Sequence, residues 1–433
     1  MHLRDAAPSR LTLLHHLDTL EWIESANALE VDLGNVHNVH VWALVALAAL
    51  AKNIGPHRRS VKVWADDRSA PSRFARAVGF EKLVGGRLPL GRTSENRTVR
   101  LLQVRRFEEI EKIASDISRL LLSGEAAEET RRTLYHILVE FLRNAVQHSV
   151  HQAGAIVGAQ LMDKTGEYED RPMIQIAVAD VGIGIMNSLH ATYPEIQDAH
   201  QALVMAQQPW VSSQFHRGLR GGPQNAGLGL YFIAEMAKRT AGRFLLASRG
   251  GSLLLQGDSS FQQFHHIKAE KPGFPGTVVV FELPIGGVDD YQALISLIQD
   301  HATERFPANA VVHWFKYEPA PDRTGLRIGV KIGAEDTAHA QQLVKDHLLP
   351  RIARGESIEF NFSGLSVCTQ SYLHALLFLA VRAAHAAKVQ LFASNTSPAV
   401  RSSLEFLESY ALSELNVDAS TAILGNGSSS SRP

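Results

Sequence analysis

YHILVEFLRNAVQHS, residues 135–149, decides how this chain reads. With the residue before it, its apolar positions are Leu134, Ile137, Leu138, Phe141, Leu142 and Ala145, the spacing of one core-facing side of a helix. Glu140, Asn144 and His148 recur every four residues, so they form a second stripe, one turn above another, bordering the apolar one. A carboxylate such as Glu140 can orient or deprotonate a water molecule. An amide such as Asn144 can offer its oxygen to a hard cation that also holds phosphates. His148 can donate to a phosphate or cap the helix C-terminus. Taken alone, the stripe is equally well a capped amphipathic helix with three polar residues at chance spacing.

Three further elements lie downstream. MIQIAVAD (173–180) alternates and is rich in β-branched residues, the pattern of a strand, and it runs into Asp180, Gly182 and Gly184. Glycines there allow a ligand to approach the backbone closely, and a buried aspartate can accept a hydrogen bond from the exocyclic amine of adenine. Asn225-Ala226-Gly227-Leu228-Gly229-Leu230-Tyr231 opens the periodic stretch LGLYFIAEMAKRTAG, and a glycine-rich turn opening a helix points free N–H groups and the helix dipole at an anion. Gly276-Thr277 opens the strand TVVVFELP. Each of these is also an ordinary turn by itself; the signal lies in their order and spacing.

That order resembles the GHKL superfamily of ATPases, which includes histidine kinases, anti-sigma-factor serine kinases, gyrase and mismatch-repair ATPases. The resemblance covers about residues 105–286 and implies a Bergerat-type α/β sandwich. Glu140, Asn144 and His148 match the N box, Asp180, Gly182 and Gly184 the first glycine box, Gly227 and Gly229 with Leu228 between them the second, and Gly276 and Thr277 the box before the last strand. It implies that Asn144 holds Mg²⁺, Asp180 the adenine of ATP, Gly227 and Gly229 the phosphates, and that Glu140 is the base activating water or a hydroxyl. Asn144 through Ser149, Ala159–Gln160 and DVGIGIMNSL (180–189) also look like a bacterial subgroup of stand-alone ATP-binding proteins.

Between the glycine boxes, residues 185–226 carry a helix-like patch, QDAHQALVMAQ, then the polar, glycine-rich SSQFHRGLRGGPQN. So long a connection inside a domain fits a lid over a triphosphate, with His216, Arg217 and Arg220 available to the γ-phosphate, or a plain surface loop. A histidine kinase needs an acceptor histidine ahead of the ATPase, and EEIEKIASDISRLLL (108–122) has none. His136 sits on the same helix as Glu140, where it cannot act as a mobile acceptor, and His15 and His16 lie far upstream.

Composition bounds the rest. A chain of 433 residues suggests two to three domains, and a formal charge of −1 implies no nucleic-acid or membrane partner on electrostatic grounds. One cysteine, Cys368, excludes an internal disulfide and fits a reducing cytoplasm. MHLRDAAPSR lacks the apolar core of a signal peptide, and VWALVALAALA (41–51) is too short to cross a bilayer.

The flanks repeat a pattern of alternating strands and helices: LEVDL, VWALVALAALAKN, SVKVWA and SRFARAVGF near the start, SIEFNF, SYLHALLFLAVRAAHAA, VQLFA and PAVRSSLEFLESYAL near the end. Both copies resemble small STAS-like α/β domains, the fold of anti-sigma-factor antagonists. The expected organisation is a STAS-like domain over 1–98, a GHKL ATP-binding domain over 99–286, a second STAS-like domain over 287–425 and a disordered tail over 426–433. In such antagonists a serine at the start of the first long helix is phosphorylated. Thr369 and Ser371 stand near that place here, where a hydroxyl is most often a helix cap. The expected function is a cytoplasmic Mg·ATP-dependent switch with slow hydrolysis, acting on a protein partner or signalling regulator, with a homodimer allowed by analogy. The alternative is an anti-sigma-type serine/threonine kinase acting on a STAS-like domain.

Overall fold

β5, the strand MIQIAVAD, has all eight residues buried, which requires cover on both sheet faces. The computed structural model supplies that cover. It describes residues 28–32, 39–54, 60–64, 69–84, 98–123, 127–149, 154–162, 172–213, 227–257, 262–268, 274–305, 314–321, 326–330, 337–365 and 368–413. The chain is mixed α/β, with a seven-stranded antiparallel sheet, a four-stranded parallel sheet and a two-stranded parallel pair among the described residues. Its described residues divide into two compact units, one drawn from 1–208 and 230–291, the other from 209–229 and 292–433.

The first unit runs β1 (Ala28–Asp32), α1 (Val41–Ile54), β2 (Ser60–Trp64), α2 (Ala70–Ala77), α3 (Phe80–Val84), β3 (Leu102–Val104), α4 (Ile110–Leu121), α5 (Glu128–His148), β4 (Ala155–Met162), β5 (Met173–Asp180), α6 (Gly184–His190), α7 (Ala199–Ala206), α8 (Gly229–Arg239), β6 (Arg243–Ser248), β7 (Gly251–Gly257), β8 (Gln262–Lys268) and β9 (Thr277–Pro284). Seven strands form a sheet in the order β3-β4-β5-β9-β6-β7-β8, every neighbouring pair antiparallel. Register sets Asp180 opposite Thr277, and Thr277 opposite Ser248, so the ends of β5, β9 and β6 lie side by side.

One face of the sheet carries α5, whose residues Leu134, Ile137, Leu138, Phe141, Leu142 and Ala145 are all buried, as their spacing predicts. Phe141 stacks on Phe244 of β6, and α4 packs along α5. The other face carries α1. Its apolar run has no polar stripe, and Val41 to Ala51 are each at most 3 % exposed. They share one core with Ile156, Ala177, Ala179, Leu245, Ala247, Val278 and Val280. Alanines at 177 and 179 let the helix approach β5 closely. Each fully buried valine or leucine contributes ~2 kcal/mol. The buried Gln160 side chain accepts from Val41 N at 3.1 Å and so caps α1 from the sheet. Residues 1–98, expected to stand as a domain of their own, thus contribute α1 to the core of the large sheet. The expected strand–helix–strand order is present there, with β1 and β2 paired in parallel.

The second unit runs α9 (Tyr291–Arg305), β10 (Phe315–Lys316), β11 (Leu326–Gly329), α10 (Thr337–Leu343), a π-helical turn (Val344–Leu348), α11 (Leu349–Ala353), β12 (Ile358–Asn361), α12 (Gln370–Ala387), β13 (Leu391–Ser394) and α13 (Pro398–Ser413), with Tyr291 itself belonging to the first unit. Its sheet has the order β10-β13-β12-β11, all parallel. Thr369 caps α12, its hydroxyl accepting from Tyr372 N at 3.3 Å, and is 2 % exposed. The core is aromatic: His374 Nδ1 lies 2.9 Å from the Tyr410 hydroxyl, and the Trp210 ring centroid is 4.9 Å from that of Tyr410. Trp210 holds a positive φ of 67°, uncommon for a bulky residue. Among the described residues, no helix is long and apolar enough to cross a membrane. The tail 426–433 lies outside the described residues.

Candidate functional site

Along α5 the polar groups divide by use. Glu129, His136 and Arg143 are spent on holding the unit together. Glu129 accepts from Tyr291 N at 2.9 Å, and His136 Nδ1 lies 2.6 Å from the Tyr291 hydroxyl while its ring stacks on Phe232 of α8. Arg143 donates to Glu111 of α4 at 2.8 Å, both side chains buried. Burial, with Arg143 as a second cause, pushes the His136 pKa down to about 3, so this ring is a neutral structural partner.

The stripe of Glu140, Asn144 and His148 is separate from these. Glu140 is buried at 3 % exposure, while Asn144 and His148 are half-buried. Asn144 makes no side-chain hydrogen bond among the described residues. His148 is the last residue of the helix, and its Nδ1 lies 3.3 Å from the Ser188 hydroxyl of α6. Burial lowers its pKa, so the imidazole is neutral at pH 7.

Against this helix end packs the loop after β5. Asp180, 4 % exposed, closes the strand, and its Oδ1 accepts from Gly182 N at 2.7 Å. Among the described residues, Oδ2 accepts nothing. Burial pushes the Asp180 pKa up to about 7, against smaller opposing effects of the Gly182 hydrogen bond and the Arg249 charge. Gly182 is needed where it stands: a Cβ on it would lie 2.4 Å from the His148 carbonyl oxygen. Gly276 meets the same loop from β9, where a Cβ would lie 2.0 Å from the Asp180 carbonyl oxygen. Thr277, half-buried, follows it.

The turn between β6 and β7 ties these parts together. Ser248 Oγ accepts from Ile185 N at 3.0 Å and donates to Gly276 O at 2.9 Å, and it lies 3.3 Å from the Thr277 hydroxyl. Arg249 donates from Nη2 to Gly182 O at 2.9 Å. Arg249 and Gly250 form the two-residue hairpin loop with φ of 40° and 87°. That conformation suits Asn-Gly, and an arginine in it costs ~1 kcal/mol. Ser248 and Arg249 escaped the sequence reading. Two apolar runs flanking Arg249-Gly250 signal a hairpin, but nothing local says where its side chains aim.

Thus Asn144, His148, Asp180, Gly182, Gly184 and Thr277 lie on three elements that meet, with Glu140 one turn deeper. Gly227 (φ 68°), the buried Leu228 and Gly229, first residue of α8, fall in the segment grouped with the second unit, while α8 from Leu230 onward belongs to the first. Arg220, with His216 and Arg217, lies outside the described residues, as does most of the expected lid. The residues present fit a nucleotide in two respects: Asp180 keeps an acceptor open, and the Asn144 amide is uncommitted. No cluster of three or more His, Cys, Asp or Glu side chains able to hold a metal occurs among the described residues. A cation on Asn144 would therefore take its other ligands from phosphate and water, the usual habit of Mg²⁺.

No protein-family model and no curated protein matches the chain. Among solved structures, a chain titled "GsuK channel bound to NAD" aligns at 9 % identity over 94 % of this chain and 67 % of that one, with a TM-score of 0.12, too low to bear on fold or function.

Proposed function

We propose that the first unit is an ATP-binding domain of the GHKL type, with the sheet and α5 as its Bergerat-like sandwich, and that the protein is a Mg·ATP-dependent switch with slow hydrolysis. The observation that carries this reading is the contact of the α5 C-terminus with the Asp180–Gly184 loop, at a separation that only glycine at 182 permits. Motifs distant in sequence, at 140–148, 180–184 and 276–277, meet there around one carboxylate with an open oxygen.

In this reading Asp180 Oδ2 accepts from the exocyclic amine of adenine, and Thr277 lies beside it. The amide oxygen of Asn144 is one ligand of Mg²⁺, which supplies charge neutralisation for the phosphates when bound. His148 faces the phosphates as a neutral donor. Glu140 orients the attacking water. The flanking α/β elements, STAS-like in pattern, then serve as surfaces for a protein partner or a second subunit. The kinase alternative, taken within the chain, is disfavoured at Thr369, whose hydroxyl is buried as a helix cap.

Incubation with γ-labelled ATP tests the reading. Slow release of free phosphate by wild type, lost in Glu140→Ala while nucleotide is still bound, is the expected result. Stable label on the protein would instead favour the kinase. Absence of both binding and turnover at millimolar Mg·ATP would overturn the assignment.

A further inference from the structure

The Arg249 side chain has no task that the hairpin requires. A two-residue turn with positive φ at both positions is served best by Asn-Gly, and this chain carries an arginine there instead. From the turn, its guanidinium reaches 2.9 Å to the carbonyl of Gly182, and its methylenes run over Gly184. The backbone of Arg249 is itself fixed, N–H donating to Phe274 O at 3.0 Å, next to Gly276. The neighbouring Ser248 hydroxyl bridges Ile185 N and Gly276 O. The hairpin therefore grips the segment from Gly182 to Ile185 at two points, one of them charged.

We propose that Arg249 is a positioning residue of the nucleotide site, holding the Asp180–Gly184 loop through the Gly182 carbonyl so that the Asp180 carboxyl meets the base. This rests on the nucleotide reading given above. Among the described residues Arg249 of the hairpin is the charge that acts on Asp180, and His148, whose carbonyl oxygen lies against Gly182, is the titratable residue at the adjoining end of α5. His148 is neutral through burial, so Arg249 is the cation that favours the ionised carboxylate. Protonation turns the open oxygen of Asp180 into a hydroxyl donor, which no longer serves an amine as a carboxylate acceptor. Nucleotide affinity should then fall as pH drops through the Asp180 pKa of about 7. Removing the Arg249 charge should move that midpoint upward.

The test is calorimetric titration of the full chain with ADP, and separately with Mg²⁺ and a non-hydrolysable ATP analogue, from pH 6 to 9. R249M should bind about tenfold more weakly at pH 7, with its midpoint raised by about one pH unit. R249K should recover most of both effects. Melting temperatures establish that each variant is folded, and S248A serves as a second variant that loosens the hairpin without altering charge, so it should weaken binding with no shift of midpoint. R249M with wild-type affinity and midpoint overturns the role of Arg249 while leaving the nucleotide site standing. So does a loss in R249M that R249K fails to recover, or one that is equal at every pH. Wild type that binds neither nucleotide sinks the parent reading and this one together.

Discussion

Each unit buries a carboxylate in its sheet, and the two are treated differently. Glu359 on β12 is closed: one oxygen accepts from the Ser394 hydroxyl at 2.7 Å, the other from Ala320 N at 3.2 Å. Asp180 at the end of β5 is half open, one oxygen bonded to Gly182 N and the other to nothing among the described residues. A buried acceptor with its donors in place is structural, whereas one left short of a protein donor is open to water or a ligand. The same contrast holds within α5, where His136 and Arg143 are bonded to other elements of the first unit and the Asn144 side chain, among the described residues, is not.

The largest expected effect is on stability as a function of pH. The folded-state pKa of Asp180 is about 7 against an ordinary value of 3.8, so the folded state binds the extra proton in between. Its burial is harmless below pH 4, costs more as pH rises, and reaches on the order of 4 kcal/mol above pH 7. Asp180→Asn should remove that cost, raising the stability of the first unit at pH 8 and leaving it unchanged at pH 4. His136 acts in the opposite sense: its pKa of about 3 means that stability falls as pH drops below its ordinary 6.5. The difference between Asp180→Asn and wild type cancels that contribution, and denaturant melts at both pH values measure it. A variant less stable than wild type at pH 8 would break the comparison.

The closed carboxylate should respond the other way. Glu359→Ala strands the Ser394 hydroxyl and the Ala320 N–H, and should cost ~3 kcal/mol in denaturant melts while leaving nucleotide affinity at the wild-type value. Gly182→Ala, which forces a methyl against the His148 carbonyl, should cost ~2 kcal/mol and also weaken nucleotide binding, since the loop and the end of α5 must part. The smallest effect is expected at Thr369→Ala, ~1 kcal/mol for the lost cap, with no change in any phosphate incorporation.

Much of the first unit was legible because its signals are local. The 3.6-residue spacing of Leu134 to Ala145 gave the buried face of α5, and alternation gave β5. The apolar run at 41–51 read as a helix too short to cross a bilayer, and nothing in it named the surface that would bury it. Its partner is the far face of the large sheet, a long-range choice set by alanines at 177 and 179 and by Gln160, more than a hundred residues away. The motif residues Asp180, Gly182 and Gly276 could be read as turn chemistry at once. Their contact with one another, and the grip of Ser248 and Arg249 upon them, depends on sheet register, which periodicity does not encode.

The central claim is that Asp180 keeps one oxygen open for a nucleotide base. Titration of wild type and Asp180→Asn with Mg²⁺ and a non-hydrolysable ATP analogue at pH 8 tests it most directly. Saturable binding by wild type, weakened about a hundredfold or more in a variant that is folded and no less stable, is the predicted result. Equal affinity of the two proteins would contradict it.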